Sequence, residues 1–293
     1  MGTYLRPAAL DDALGALAAG GPAGSPWTVI AGATDHYPAR VGRVIDEDVL
    51  DVSGLAGLRG IAAIDGGIAA DGAGGWRIGA LTTWTDLATA DLPPLFDGVR
   101  RAARAVGGRQ VQNRATIAGN LVNASPAADG VPNLVALDAV VELASARGVR
   151  QVPVASFITG NRRTVRAPDE LVTAILVPAA LPGTTARSSF VKLGSRAYLV
   201  ISIAMVAAIL ECDDHRRIAR ARICVGACSE VARRLPVLEA LLAGRSLDAA
   251  IAVLPEAAHL AHLAPIDDVR GTAAYRRQAA LVLVRRALGE LVR

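Results

Sequence analysis

Between residues 114 and 138 the chain reads R-A-T-I-A-G-N-L-V-N-A-S-P-A-A-D-G-V-P-N-L-V-A-L-D, with apolar runs on either side. Its two glycines, two prolines and three asparagines break any single regular element into turns and short pieces. Thr116, Ala118, Gly119 and Asn120 predict a small-residue turn. Such turns let a ligand approach the backbone closely, and successive N–H groups in them form a concavity for an anion. Ser125-Pro126 leads on to Asp129, and Pro132 stands near the first turn of a helix over Leu134–Leu137. A loop that can hold phosphate, followed by a helix, suits a nucleotide cofactor.

A second stretch has the same character. Trp27 to Ala31 predicts a short apolar strand that stops at A-G-A-T-D-H, residues 31–36. A strand ending in a glycine turn with Thr34 and Asp35 behind it reads either as a phosphate-binding end or as an ordinary strand-to-loop turn.

Around these two stretches the elements fall in a mixed order. Leu10, Ala13, Leu14 and Leu17 predict an amphipathic helix within residues 6–19, and residues 44–52 predict a strand. Apolar runs at 61–64, 68–70 and 76–80, separated by glycine turns at 65–67 and 71–75, predict hairpins. Thr85 or Asp86 caps a following helix. Residues 95–106 predict a helix with Arg100, Arg101 and Arg104 on a solvated face. Strands follow at 138–143, at V-P-V-A-S-F (152–157) and at 169–178, with a basic loop at 161–168. Residues 178–185, rich in Pro, Gly, Ala and Thr, form the linker. Beyond it come a strand at 218–225 and helical periodicity at 235–243, 247–254 and 275–291.

Composition narrows the function classes. A 52% hydrophobic chain of 293 residues buries a sizeable core, and a net charge of +4 spread over 31 basic and 27 acidic residues excludes a nucleic-acid footprint. The N-terminus lacks an export signal, and the longest apolar run, Leu199–Leu210, is shorter than the roughly 20 residues a transmembrane helix needs. A cytoplasmic protein with no transmembrane segment is expected. Cys212, Cys224 and Cys228 are too few for a thiolate-held iron–sulfur cluster, and Cys224 and Cys228 read as small buried thiols. His259 and His262 have helical spacing without a third ligand nearby, so no metal site is expected. No G-x-G-x-x-G follows a strand, which disfavours a nicotinamide-binding fold.

T-I-A-G-N-L-V-N-A-S-P-A-A-D resembles the second flavin-binding segment of the FAD-binding medium subunits of the molybdenum hydroxylase and xanthine dehydrogenase family. That family includes the medium subunits of carbon monoxide and nicotinate dehydrogenases. A-G-A-T-D resembles the family's first segment, usually G-G-T-D, with alanine at 33. Alanine also replaces the first glycine of the second segment, at 118. I-G-A-L-T-T-W-T-D-L, E-L-V-T-A-I-L-V-P and F-V-K-L-G-S-R are similar to later segments, so the resemblance covers nearly the whole chain.

The resemblance implies an α+β fold. A two-subdomain FAD-binding unit of the PCMH type would span 1–178, divided near residue 55, and a small C-terminal domain of antiparallel sheet and helices would span 179–293. It implies FAD contacts at Val29, Ile30, Ala31, Gly32, Ala33, Thr34, Asp35 and His36, and at Thr116, Ile117, Ala118, Gly119 and Asn120. It adds Val106 and Val172 beside the flavin. Asp129 would hold a ribose or adenosine hydroxyl or the loop backbone, with a helix cap as the competing role. Lys192, the one basic residue that is not arginine, would face the flavin ring. It also implies two partner chains, a small [2Fe-2S] subunit and a large molybdenum-cofactor subunit, with NAD, oxygen or another carrier as acceptor. No catalytic residue is expected on this chain. Two other readings stay open. One is a self-contained FAD oxidase of the same fold, with His36 as a possible covalent attachment point. The other is a scaffold without flavin, for which the two alanines are the only support.

Overall fold

The computed structural model describes residues 2–22, 24–68 and 73–293. The chain opens with a three-stranded parallel sheet, β1 (Tyr4–Leu5), β2 (Thr28–Ile30) and β3 (Val49–Asp51), in the order β1-β3-β2. Helix α1 (Leu10–Ala19) joins β1 to β2 and buries Ala13, Leu14 and Leu17. It starts later than the pattern suggested. Pro7 disfavours helical backbone at Arg6, and Tyr4 and Leu5 are committed to pairing with Val49 and Leu50. The strand expected over 44–52 is confined to the three residues that pair on both sides, and Val44 stands exposed outside it.

The middle of the chain runs β4 (Ile61–Ile68), β5 (Ala73–Gly79), α2 (Trp84–Thr89), α3 (Asp97–Ala105), α4 (Arg109–Gln112), α5 (Ile117–Val122) and α6 (Gly130–Ala136). It continues with β6 (Val140–Ser145), β7 (Gly148–Pro153), α7 (Val154–Phe157), a ribbon of β8 (Ile158–Gly160) and β9 (Arg163–Thr164), and β10 (Leu171–Pro178). Five of the strands form an antiparallel sheet in the order β4-β5-β10-β6-β7. Central β10 is buried along its length up to Pro178, which is why it reads as a continuous apolar run rather than an alternating one.

Several local expectations change here. The turn expected at 65–67 is strand, with the ladder absorbing a register shift between Ile64 and Ile68. The run at 69–70 and the turn beginning at 71 lie outside the described residues. Of V-P-V-A-S-F, only the first two residues belong to β7. Val154 and Phe157 are both buried at helical spacing, so the chain coils there. The cap of α2 is Thr83, not Thr85: its Oγ1 accepts from the Asp86 N–H at 3.2 Å, and Asp86 Oδ2 accepts from the Thr83 N–H at 2.9 Å. This reciprocal pair stabilises the helix start by about 1 kcal/mol.

The C-terminal part is a four-stranded antiparallel sheet of β11 (Thr185–Leu193), β12 (Ala204–Cys212), β13 (Ile218–Gly226) and β14 (Arg233–Arg234), with α8 (Pro236–Leu242) and α9 (Ala273–Val292). Along β12 the two faces alternate. Met205, Ala207 and Ile209 join the core containing Val99, Ala102 and Leu134, whereas Val206, Ala208 and Leu210 pack with Val284, Ala287 and Leu288 of α9. The face of α3 expected to be solvated is partly docked: Arg101 Nη1 donates to Ser189 Oγ at 3.2 Å and pairs with Glu290 of α9. The helix expected over 247–254 is a five-residue 3-10 turn, Ala249–Val253.

All three cysteines are free and buried. Burial pushes the Cys228 thiol up to about 11 and Cys224 higher still. His259 and His262 are taken up locally. His259 Nδ1 accepts from the Glu256 N–H at 3.0 Å, and His262 Nε2 lies 2.9 Å from the Arg234 carbonyl oxygen. Among the described residues no three potential ligands gather around a metal position, and no helix is long and apolar enough to cross a membrane.

Candidate functional site

In sheets with parallel strands, ligands bind beyond the strands' carboxyl ends. Here β2 ends at Ile30 and β3 at Asp51, and the residues that follow both strands line a cleft of about 550 Å³, within the ~300–1,000 Å³ usual for cofactor sites. Residues 29–36 form one wall. Thr116, Ala118, Gly119 and Asn120, with Val122 and Asn123, form the other, and Val106, Val111, Trp84 and Val172 are among the further lining residues. The two separate stretches singled out in the sequence therefore face one space.

The second stretch is not the expected turn. Thr116 caps α5, its Oγ1 accepting from the Gly119 N–H at 3.0 Å, and residues 117–122 are helical. Backbone bonds fix the start of this helix to the start of α2: Trp84 N–H to Ala115 O and Ile117 N–H to Thr82 O, both 3.1 Å. Ala118 is buried inside the helix, where alanine is the best residue available. Ala33 differs. Its φ of 55° is left-handed, a region that costs a non-glycine residue roughly 1–2 kcal/mol. Gly32 is required sterically, since a Cβ there would stand 1.8 Å from the Arg114 carbonyl oxygen. At that point the two walls touch backbone to backbone.

Val172 is aimed by an irregularity. The β10–β6 register shifts between Val172 and Ala174. The segment before it is braced by Glu170, which accepts from Arg150 Nη2 and from the Ala167 N–H, each at 2.8 Å. Arg150 holds the Glu170 carboxyl below its ordinary range. Arg166 also lines the cleft. It donates to the carbonyls of Glu170 at 2.7 Å and Ala167 at 3.1 Å, and burial lowers its pKa. His36 has its pKa lowered by burial and by Arg40, so it is neutral near pH 7. The Arg40 hydrogen bond holds Glu47 low.

Ile117, Asp129 and Lys192 stand outside the cleft lining. Ile117 is fully buried. Asp129 makes no cap bond to α6. Its Oδ2 accepts from Lys192 Nζ at 2.5 Å and its Oδ1 from Ser202 Oγ at 2.6 Å. Burial raises the Asp129 pKa, and Lys192 opposes that rise. The pair adjoins the cleft through Asn120, whose Oδ1 accepts from the Gly130 N–H at 3.3 Å.

The donor set fits FAD. Among the described residues no protein acceptor takes the backbone N–H groups from Gly32 to His36, a run suited to a diphosphate. Valines 29, 106, 111 and 172 supply apolar surface for a flat ring. Two lining residues, Trp84 and His36, carry buried ring nitrogens, Nε1 and Nε2, without hydrogen-bond partners. The sequence reading missed Trp84, Val111, Asn123 and Arg166. Trp84 left a local trace, the T-x-x-D capping box Thr83–Asp86, of which it is the second residue.

Residues 1–180 match the family model described as the FAD binding domain in molybdopterin dehydrogenase, and residues 189–291 match the CO dehydrogenase flavoprotein C-terminal domain. The chain is 34% identical to the nicotinate dehydrogenase FAD-subunit of Eubacterium barkeri over 64% of this chain and 62% of that one. It is 30% identical to the 6-hydroxypseudooxynicotine dehydrogenase complex subunit alpha of Paenarthrobacter nicotinovorans over 98% and 93% of the two chains. A chain of the reconstituted CO dehydrogenase from Oligotropha carboxidovorans superimposes with a TM-score of 0.85 at 26% identity, covering 100% of this chain and 98% of that one.

Proposed function

The chain belongs to the FAD-binding medium-subunit family of the molybdenum hydroxylases, oxidoreductases of the carbon monoxide and xanthine dehydrogenase type, and from that membership we propose that it is the electron-transfer subunit of such a complex. FAD is its cofactor, and the chemistry FAD supplies when bound is to connect the [2Fe-2S] clusters of a small partner chain to NAD, oxygen or another carrier. A large molybdenum-cofactor chain would oxidise the substrate. Residues 1–178 act as the cofactor-binding unit and 179–293 as the C-terminal domain.

The observation that carries the reading is the convergence of residues 29–36 and 116–120 on one cleft, with open backbone donors on one wall and apolar surface beside them. Ala31 to His36 present the N–H groups for the diphosphate. Thr116 holds Gly119 and Asn120 in the opposite wall. Val106 and Val172 pack against the ring. Asp129 and Lys192 act from behind this layer, keeping Asn120 and Gly130 in place, rather than as ligands with free charges. A self-contained oxidase is disfavoured by the match of residues 189–291 to the CO dehydrogenase flavoprotein C-terminal domain. Flavin content tests the placement. Gly32→Ala drives a Cβ into the Arg114 carbonyl and should leave a folded chain that purifies without FAD. Full FAD content in that variant contradicts the assignment of this cleft.

A further inference from the structure

Two contacts that join the walls of the cleft differ in kind. At Gly32 the meeting is backbone against backbone, with no side chain to swing away. At the rim a single guanidinium makes the join. Arg162 Nη1 donates to Asp35 Oδ2 on the first wall at 3.0 Å and to Asn123 Oδ1 at the end of α5 on the second. Asp35 and Asn123 both line the cleft.

Arg162 is well placed to span the walls. It occupies the β8–β9 turn with φ 58°, and its own N–H donates to the Ala124 carbonyl at 3.0 Å, which ties the turn to the second wall. The turn is also held from the C-terminal part: Glu230 Oε1 accepts from the Asn161 N–H at 3.1 Å and from Arg163 Nη2 at 3.0 Å. The ribbon is thus anchored independently of Asp35. Its reach to the first wall is the Arg162–Asp35 ion pair, and both partners of that pair are more than half exposed. Exposed pairs of this type contribute about 0–1 kcal/mol and weaken with salt. A closure of that strength slows passage without preventing it.

We propose that Arg162 is a latch on the cofactor cleft, and that FAD enters and leaves between Asp35 and Asn123 when the Arg162–Asp35 contact opens. The proposal rests on reading this cleft as the FAD site. It separates cleanly from a role in which Arg162 simply neutralises the cofactor's phosphates. In that case Asp35 competes with FAD for the guanidinium, and removing Asp35 tightens binding.

The test is the rate of FAD release from the holoprotein, followed by the recovery of flavin fluorescence after dilution at low and at high salt. Arg162→Ala and Asp35→Asn should each speed release about threefold to fivefold at low salt, the upper part of the range for an exposed ion pair. Each should also remove most of the acceleration that salt produces in the wild type. The double variant should release no faster than either single one, and Arg162→Lys should restore part of the retention. Wild-type release with wild-type salt dependence in Arg162→Ala would overturn the latch. Slower release in Asp35→Asn, or multiplicative effects in the double variant, would overturn it equally. Failure of the site reading shows separately, as FAD retained by Gly32→Ala.

Discussion

Ala33 and Ala118 both replace glycines of the family's segments, yet the backbone treats them differently. Ala118 is helical and comfortable, and Ala33 is left-handed and strained. Ala33→Gly should therefore raise stability by about 1 kcal/mol in thermal or denaturant unfolding while keeping FAD, and Ala118→Gly should lower it by a similar amount. Opposite signs would mean that the loop at 33 is not left-handed. Asp129 and Lys192 make a second residue-scale case. Lys192→Met leaves a buried carboxylate without its counter-charge, which costs about 3–5 kcal/mol, whereas Lys192→Met combined with Asp129→Leu removes both charges and should recover much of that loss. A double variant as damaged as the sum of the two singles would show that the charges are not coupled. The sequence marked both residues as candidates, but it could not show them to be partners. They lie 63 positions apart, and only the packing of α6 against the C-terminal sheet brings them together.

At the scale of elements, what was legible followed from local chemistry. The apolar spacing of α1 and α9, the buried run of β10 and the two cofactor stretches were all readable because each depends on residues within a few positions of one another. The same locality misled at 116–120. Small residues predict a turn when taken alone, whereas the Thr116 cap and the backbone bonds to residues 82–84 wind them into α5. Arg162 was not legible because its role is set by Asp35 and Asn123, which lie 127 and 39 positions away. The Arg150–Glu170 brace ahead of Val172 makes a pH prediction. Glu170 is held below its ordinary 4.5, chiefly by its Arg150 hydrogen bond. A carboxyl with a depressed folded pKa contributes stability that is present above its unfolded value and lost as pH falls through the folded one. Melting temperature should therefore fall on acidification below about pH 4.5, and Glu170→Gln, less stable at pH 7, should show a shallower fall. Parallel acid profiles for the two proteins would argue against that brace.

Seen whole, the molecule shares a hydrophobic core across its linker. The division near residue 178 was read from Pro, Gly and Thr content, but one face of the C-terminal sheet completes the core of the preceding domain. Arg222, almost fully buried, bonds Asp138 Oδ2 at 3.0 Å across that boundary and pairs with Glu211 on its own sheet. A chain ending at residue 178 should consequently expose the apolar faces of α3 and α6, bind hydrophobic dyes and lose cooperative melting. A sharp transition at the full-length temperature would show the two parts to be independent. On the proposed function, this flavoprotein is reduced through partners and not by substrate directly. Anaerobic stopped-flow absorbance at the flavin band measures this, using the isolated holo-chain and the chain reassembled with the proposed iron–sulfur and molybdenum chains. On mixing with the substrate of the complex, the isolated chain should stay oxidised and the reassembled one should bleach within a single turnover. Rapid bleaching of the isolated chain would show that substrate reduces the flavin directly and would contradict the proposed function.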